Sequence, residues 1–171
     1  MELRTEVLII GGGLAGLCSA IHLSKKGKQV VLVERNSYPH HKVCGEYISN
    51  EVLPYLRYLD ADPAMLLPSQ ISRVQISNIT GKSFEAGLPL GGFGVSRFRL
   101  DEYLYQKAID AGCMIVQDKV QAVRHLGGTF EVDTSDLTFV AKVVLGAYGK
   151  RAALDQGLQR TFIKKKSPWL A

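Results

Sequence analysis

Apolar positions along the chain change period several times, and each change marks an element. Residues 6–10 form a short apolar run behind a polar start, the pattern of a strand buried on both faces. From residue 14 to 26 the spacing becomes helical, with small or apolar residues at Leu14, Ala15, Leu17, Cys18, Ile21 and Leu23. Gly27 stands where a helix-terminating glycine belongs, and residues 29–34 read as a second buried strand. Strand, glycine turn, helix and strand within about thirty residues predict a βαβ unit with parallel strands.

Beyond this unit, residues 36–46 are irregular, and Ile48, Val52, Tyr55, Leu56 and Leu59 share one helical face that Pro54 interrupts or restarts. Residues 71–98, rich in glycine, predict short strands and turns. Leu100, Tyr103, Leu104, Ala108 and Ala111 mark an amphipathic helix closed by Gly112, and residues 113–116 predict a third parallel strand. Three strand-like pieces follow at 119–125, 129–133 and 137–146, the first two joined by Gly127-Gly128, a good hairpin turn. The order predicts an α/β fold: a Rossmann-like domain with a central parallel sheet, helices and a three-stranded β-meander.

At 171 residues, 46% hydrophobic and 22% charged, the chain is neither a disordered tail nor a disulfide scaffold. The net charge of +5 is a mild excess and does not point to nucleic acid. Its densest part, Lys164-Lys165-Lys166, reads as a solvated stretch. Three cysteines without metal-ligand spacing suit a reduced, cytoplasmic chain, with Cys18 and Cys113 as small core residues. His40 and His41 lack further ligands at suitable spacing, so no metal site is expected. No apolar run reaches the roughly 18 residues of a membrane span, which leaves only peripheral membrane contact open.

The strongest chemical signal is Gly11-Gly12-Gly13-Leu14-Ala15-Gly16, a G-x-G-x-x-G string between a strand and a helix. Gly11 permits the tight turn, Gly13 lets a pyrophosphate approach the backbone, and Gly16 lets helix and strand pack closely. The first N–H groups of the helix and its dipole then attract phosphate. Glu34 ends the second strand about twenty residues on, where a carboxylate accepts hydrogen bonds from ribose hydroxyls and repels a 2′-phosphate. This selects FAD or NAD over NADP and does not choose between the first two.

Glu34-Arg35, then Pro39, Lys42, Cys44-Gly45-Glu46 and Ser49, resembles the E-R-x-x-x-P-x-x-K-x-C-G-E/G segment of the geranylgeranyl reductase-like flavoproteins. These belong to the wider group that includes aromatic hydroxylases and flavin halogenases. Arg97 to Asp101, with Leu104 and Ala108, is similar to their R-x-x-L/F-D-x-x-L-x-x-x-A element, and residues 143–153 to their V-V-x-G-A-x-G turn. The resemblance implies FAD as cofactor, with Gly11, Gly13, Leu14, Ala15 and Gly16 along the pyrophosphate. It implies Glu34 at the adenosine ribose, Arg35 beside the adenine, and the backbone of Val120 at the adenine. Arg97 would approach the cofactor, and Cys44, Gly45 and Glu46 would lie toward the flavin ring. Cys44 and Glu46 are the candidates for a chemical role.

Two departures qualify the resemblance. Ala147-Tyr148-Gly149 stands where the hydroxylases carry an Asp before glycine, and Ala153 where Ser is frequent. No Gly-Asp dipeptide follows Leu154 to contact the ribityl-phosphate side of FAD. The chain is therefore expected to be the N-terminal portion of a longer flavoprotein, or a truncated gene product. Residues 1–160 would be the FAD-binding domain with an insertion at 35–98, and 161–171 would begin the absent substrate domain, which would pack on exposed apolar surface.

The expected activity is that of an FAD-dependent oxidoreductase, passing hydride through the flavin to or from a small organic substrate, isoprenoid or polyene-like. NADH, NADPH or another donor stays open as the source of electrons. A monooxygenase or halogenase on the same cofactor domain, and a non-catalytic nucleotide-binding module, are the alternatives. A simple NAD dehydrogenase fits the Cys-Gly-Glu segment and the meander less well.

Overall fold

The computed structural model describes residues 2–149 and 153–160. In chain order the elements are β1 (Glu2–Ile10), α1 (Leu14–Lys25), β2 (Val30–Glu34), β3 (Tyr47–Ser49), α2 (Leu53–Tyr58), β4 (Ser69–Ser77) and β5 (Ser83–Gly94). They continue with α3 (Arg97–Asp110), β6 (Met114–Gln117), β7 (Ala122–Leu126), β8 (Thr129–Asp133), β9 (Thr138–Gly146) and α4 (Ala153–Gly157). Two compact units result: one takes the chain up to Ser37 and resumes at Ala108, and the other is Tyr38–Lys107. The segment 35–98, expected as an insertion, supplies most of the second unit. The expected start of a further domain at 161–171, with its lysine run, lies outside the described residues.

The first unit is built on a six-stranded sheet in the order β6-β2-β1-β9-β8-β7. β6, β2, β1 and β9 run parallel, while β9, β8 and β7 form an antiparallel meander. β9 thus belongs to both systems and joins them. In register, Ile10 of β1 lies beside Val33 of β2 and Gly146 of β9, so the three carboxyl ends finish level. Alternation along β1 and β2 divides their side chains between two layers. Leu8, Ile10, Val31 and Val33 form one core with Val132, Phe139 and Ala141 of the meander. Val7, Ile9, Val30 and Leu32, also buried, point to the opposite layer, and α1 turns its buried Gly16, Leu17, Ala20 and Ile21 inward. Gly27 (φ 74°) follows α1 and Gly112 (φ 91°) follows α3, each taking a left-handed conformation that side chains resist. Gly127 and Gly128 (φ 57° and 90°) make the two-residue turn between β7 and β8.

The second unit holds a three-stranded antiparallel sheet in the order β3-β5-β4, with α2 and most of α3. Residues 71–98, expected as short strands and turns, instead form most of the long β4–β5 hairpin and the first two residues of α3. The many glycines do not break β5, because Gly92 lies where a Cβ would run into the Tyr47 ring on β3. On this hairpin Val74, Ile76, Phe84 and Ala86 share one face, and the Arg73–Glu85 ion pair occupies the other. Val74, Ile76 and Phe84 are all exposed.

Other boundaries move as well. Ile48 sits in β3, not on a helix, because it pairs with Phe93 of β5. The helix starts at Leu53 after a 3₁₀ turn at Asn50–Val52, with Pro54 in its first turn, where no N–H is required. β7 begins at Ala122 rather than at residue 119, because residues 118–121 are held as a loop. Cys113 is buried, whereas Cys18 is half-buried on α1.

Phe139 is fully buried between β1 and β8 in the meander core. Phe139→Ala is expected to cost about 3–5 kcal/mol, read as a lower urea midpoint at unchanged slope.

Candidate dinucleotide-binding site

The level carboxyl ends of β1, β2 and β9 bring three loops together where the strand order reverses, the position at which open α/β sheets bind ligands. Gly11 N–H donates to Val33 O at 2.8 Å, and Ala147 N–H donates to Ile10 O at 2.8 Å, which locks the loops to their neighbours. Gly11 has φ 102°, and a Cβ there would lie 2.6 Å from Ala147 O. A Cβ on Gly16 would collide with the Gly11 carbonyl oxygen, so Gly16 is required by the turn itself rather than by the body of the strand. Gly13 differs from both: a Cβ there meets nothing within 4 Å. Its surroundings are open, at the end of a helix that begins without a side-chain cap and without an acidic residue in its first turn. That combination leaves backbone donors and a positive dipole end facing open space, which suits a pyrophosphate.

Glu34 does more than end β2. Its Oε2 accepts the Gly12 N–H at 2.6 Å, while Oε1 accepts Asn36 N–H at 3.0 Å and Asn36 Nδ2–H at 3.1 Å. A carboxylate oxygen has two lone-pair directions, so Oε2 can accept one further donor while holding the glycine turn. Arg35, next along the chain, is exposed. Leu14 is half-buried and Ala15 exposed in the first turn of α1.

At the same end of the sheet, residues 118–121 are tied down from several directions. Asp118 N–H donates to Glu34 O at 3.0 Å, and Gln121 N–H donates to Asp133 O at 2.8 Å. The Asp118 carboxylate accepts N–H groups from Lys119 at 2.6 Å, Ser135 at 3.1 Å and Asp136 at 3.2 Å. Partial burial raises its pKa, but hydrogen bonds from the Thr134 hydroxyl and from the Lys119, Asp136 and Ser135 amides outweigh that and bring it to about 2. No motif flags Asp118; only the fold brings residues 133–136 to it. Val120 turns its side chain to the core.

Tyr148, which replaces the expected acidic residue, reaches Asp155 of α4, its hydroxyl donating to Oδ1 at 2.7 Å. Burial first, and then this bond to Asp155, raise its pKa. Gly146 leaves room for the ring, since a Cβ there would lie 2.9 Å from Tyr148 Cε1. Tyr148 is thus an anchor for α4.

The remaining candidates lie in the second unit. Arg97 grips Asp101 with two bonds, Nε to Oδ1 at 2.7 Å and Nη2 to Oδ2 at 2.9 Å. Lys42 Nζ also donates to Oδ2 at 2.8 Å, and Asp101 is fully buried. The bonds to Asp101 raise the Arg97 pKa against the effect of burial, with smaller contributions from Cys44 beside it. Cys44 is exposed and its Sγ accepts Glu46 N–H at 3.4 Å. Glu46 takes the left-handed conformation (φ 57°), rare for a residue with a side chain. Its Oε1 accepts Arg97 N–H at 3.3 Å, and its carbonyl accepts Val95 N–H at 3.2 Å. Glu46 therefore caps the start of α3, and Gly45, exposed beside it, has nothing within 4 Å of where a Cβ would stand. Among the described residues no cluster of His, Cys, Asp and Glu is arranged to hold a metal ion. None of the described helices is long and apolar enough to cross a membrane.

The FAD binding domain family matches residues 4–166, so the chain belongs to that family and its cofactor is FAD. A menaquinone reductase of Mycolicibacterium smegmatis is 26% identical over 95% of this chain and 42% of its own length. Among solved structures, a geranylgeranyl bacteriochlorophyll reductase-like protein of Thermoplasma acidophilum has a TM-score of 0.78 at 19% identity, covering 95% of this chain and 44% of that one. The halogenase PltM, in complex with phloroglucinol and FAD, has a TM-score of 0.77 at 18% identity, covering 91% of this chain and 36% of that one. The chain thus spans less than half the length of these proteins.

Asp101→Ala leaves two cations without their shared carboxylate and is expected to cost about 3 kcal/mol, measured by chemical denaturation. Asp118, held below the ordinary carboxylate pKa of about 3.9, adds stability that is present above that pKa and lost as pH falls toward about 2. Acid unfolding followed by circular dichroism should accordingly be less steep in Asp118→Asn between about pH 5 and 2.

Proposed function

We propose that the chain is the FAD-binding part of a flavin-dependent oxidoreductase that moves hydride to or from a small organic molecule, isoprenoid or polyene-like. The observation that carries this reading is the glycine turn: closed by backbone at Gly11 and Gly16, open at Gly13, and held by Glu34. Likeness to a menaquinone reductase along nearly the whole chain supports an isoprenoid quinone or a similar unsaturated molecule as substrate. NADH, NADPH or another reductant would serve as donor, and three free cysteines suit a reduced, cytoplasmic setting.

In this reading Gly11, Gly13, Leu14, Ala15 and Gly16 lie along the pyrophosphate, with the first N–H groups of α1 donating to it. Glu34 accepts a ribose hydroxyl on Oε2, Arg35 lies beside the adenine, and the peptide groups of Val120 face its edge. Arg97, kept cationic and aimed by Asp101, presents a fixed positive charge to the cofactor. Cys44 and Gly45 lie toward the flavin ring. Glu46 serves chiefly to shape that turn, since its carboxylate is engaged with α3. Bound FAD supplies hydride transfer at its isoalloxazine ring; the protein supplies position and electrostatics.

The second reading is a halogenase, favoured by 38% identity over 65 residues to the flavin-dependent halogenase armH3 of Armillaria mellea. Halide incorporation into product, in a protein spanning the full length of these relatives, separates it from the reductase.

The purified chain is expected to keep a protein-shifted flavin absorption spectrum after FAD is added and the sample desalted. A colourless folded protein would mean either that a Gly-Asp segment outside this sequence is needed to retain FAD or that the site is a remnant, and the same measurement on a longer chain decides between them. Gly13→Val should keep the wild-type melting temperature yet retain no FAD, because its side chain fills the open space. Glu34→Ala should weaken FAD binding by about 1–3 kcal/mol, read by flavin fluorescence titration.

A further inference from the structure

Residue 120 stands apart from its neighbours in the loop between β6 and β7. The backbone N–H groups of Asp118, Lys119 and Gln121 are all donated within the protein. Neither the N–H nor the C=O of Val120 makes a hydrogen bond among the described residues, although its side chain packs on the core. A donor and an acceptor on one residue, neither claimed among the described residues, match the N1 acceptor and N6 donor of an adenine edge. They match hypoxanthine poorly, because there the same two positions have reversed polarity.

Such a pair reads a base only if the loop holds still, and its anchoring converges on Asp118. Its N–H ties the loop to the carbonyl of Glu34, at the end of β2. Its carboxylate gathers the amides of Lys119, Ser135 and Asp136, and so binds the loop to the β8–β9 turn. Three converging N–H groups on one carboxylate are charge-assisted bonds with little freedom to reorient. We propose that Asp118 is a positioning residue for base selection, clamping the loop so that the peptide groups of Val120 distinguish adenine from other purines. This rests on the reading that the adenine end of FAD lies beside Val120.

The test compares the dissociation constants of FAD and of its hypoxanthine analogue for the unsubstituted protein, Asp118→Asn and Asp118→Ala, with melting temperatures measured in parallel. The unsubstituted protein is expected to prefer FAD by about tenfold, the scale of one to two hydrogen bonds. In both variants that ratio should fall to within about twofold, while the pyrophosphate cradle still gives measurable binding. Asp118→Asn keeps the shape of the side chain and preserves the test where Asp118→Ala fails to fold. Equal weakening of both dinucleotides, with the preference retained, would show a merely structural role and overturn the proposal. Equal binding of both by the unsubstituted protein would overturn the proposal together with the placement of adenine at Val120, whereas binding of neither would overturn the FAD-binding reading on which it rests.

Discussion

The close approach of three strand ends governs the first unit. β1 lies between β2 and β9, and Gly11, Gly16 and Ala147 meet where there is no room for an extra carbon on either glycine. The Glu34 carboxylate then draws the Gly12 N–H toward β2. Together these contacts set the path of the turn into α1 and leave Gly13 facing open space. A side chain at Gly11 would push the loop away from residues 147–148, and one at Gly16 would push α1 away from the Gly11 carbonyl, so the first turn of α1 would no longer point at the end of the sheet.

The meander serves the same end of the sheet from the other side. β9 pairs parallel with β1 and antiparallel with β8, so the core around Phe139 couples the glycine turn to the β8–β9 turn. Asp118 extends that coupling to the loop after β6, and Tyr148 extends it to α4 through Asp155. In the second unit a different charge group does comparable work. Asp101, buried with no solvent to stabilise it, requires both Arg97 and Lys42, and the geometry of Arg97 follows from that requirement.

The βαβ unit, the Gly-rich turn and the meander were all legible because each rests on local periodicity and on glycines at fixed offsets. The failures are equally instructive. Ile48 carries a helical spacing with Val52 and Leu56, yet it pairs in a sheet whose partner strand lies more than forty residues on. The glycines of β5 look like turn signals, but at Gly92 the glycine is there to admit a ring from β3. The roles of Tyr148 and Glu46, as anchors of α4 and α3, are invisible in sequence because their partners are set by folding.

By itself, then, the amino-acid order determined the class of fold and the dinucleotide fingerprint, since both depend on neighbours within a few residues or one helix turn. Tertiary structure alone decided which groups are clamped and which are left free. Glu34 divides its carboxylate between the turn and Asn36, Asp118 gathers amides from a turn distant in sequence, and Val120 is left with its peptide groups unclaimed among the described residues. The reason is physical: a hydrogen bond depends on direction and distance in space, and neither can be read from spacing along the chain when the partners come from separate strands.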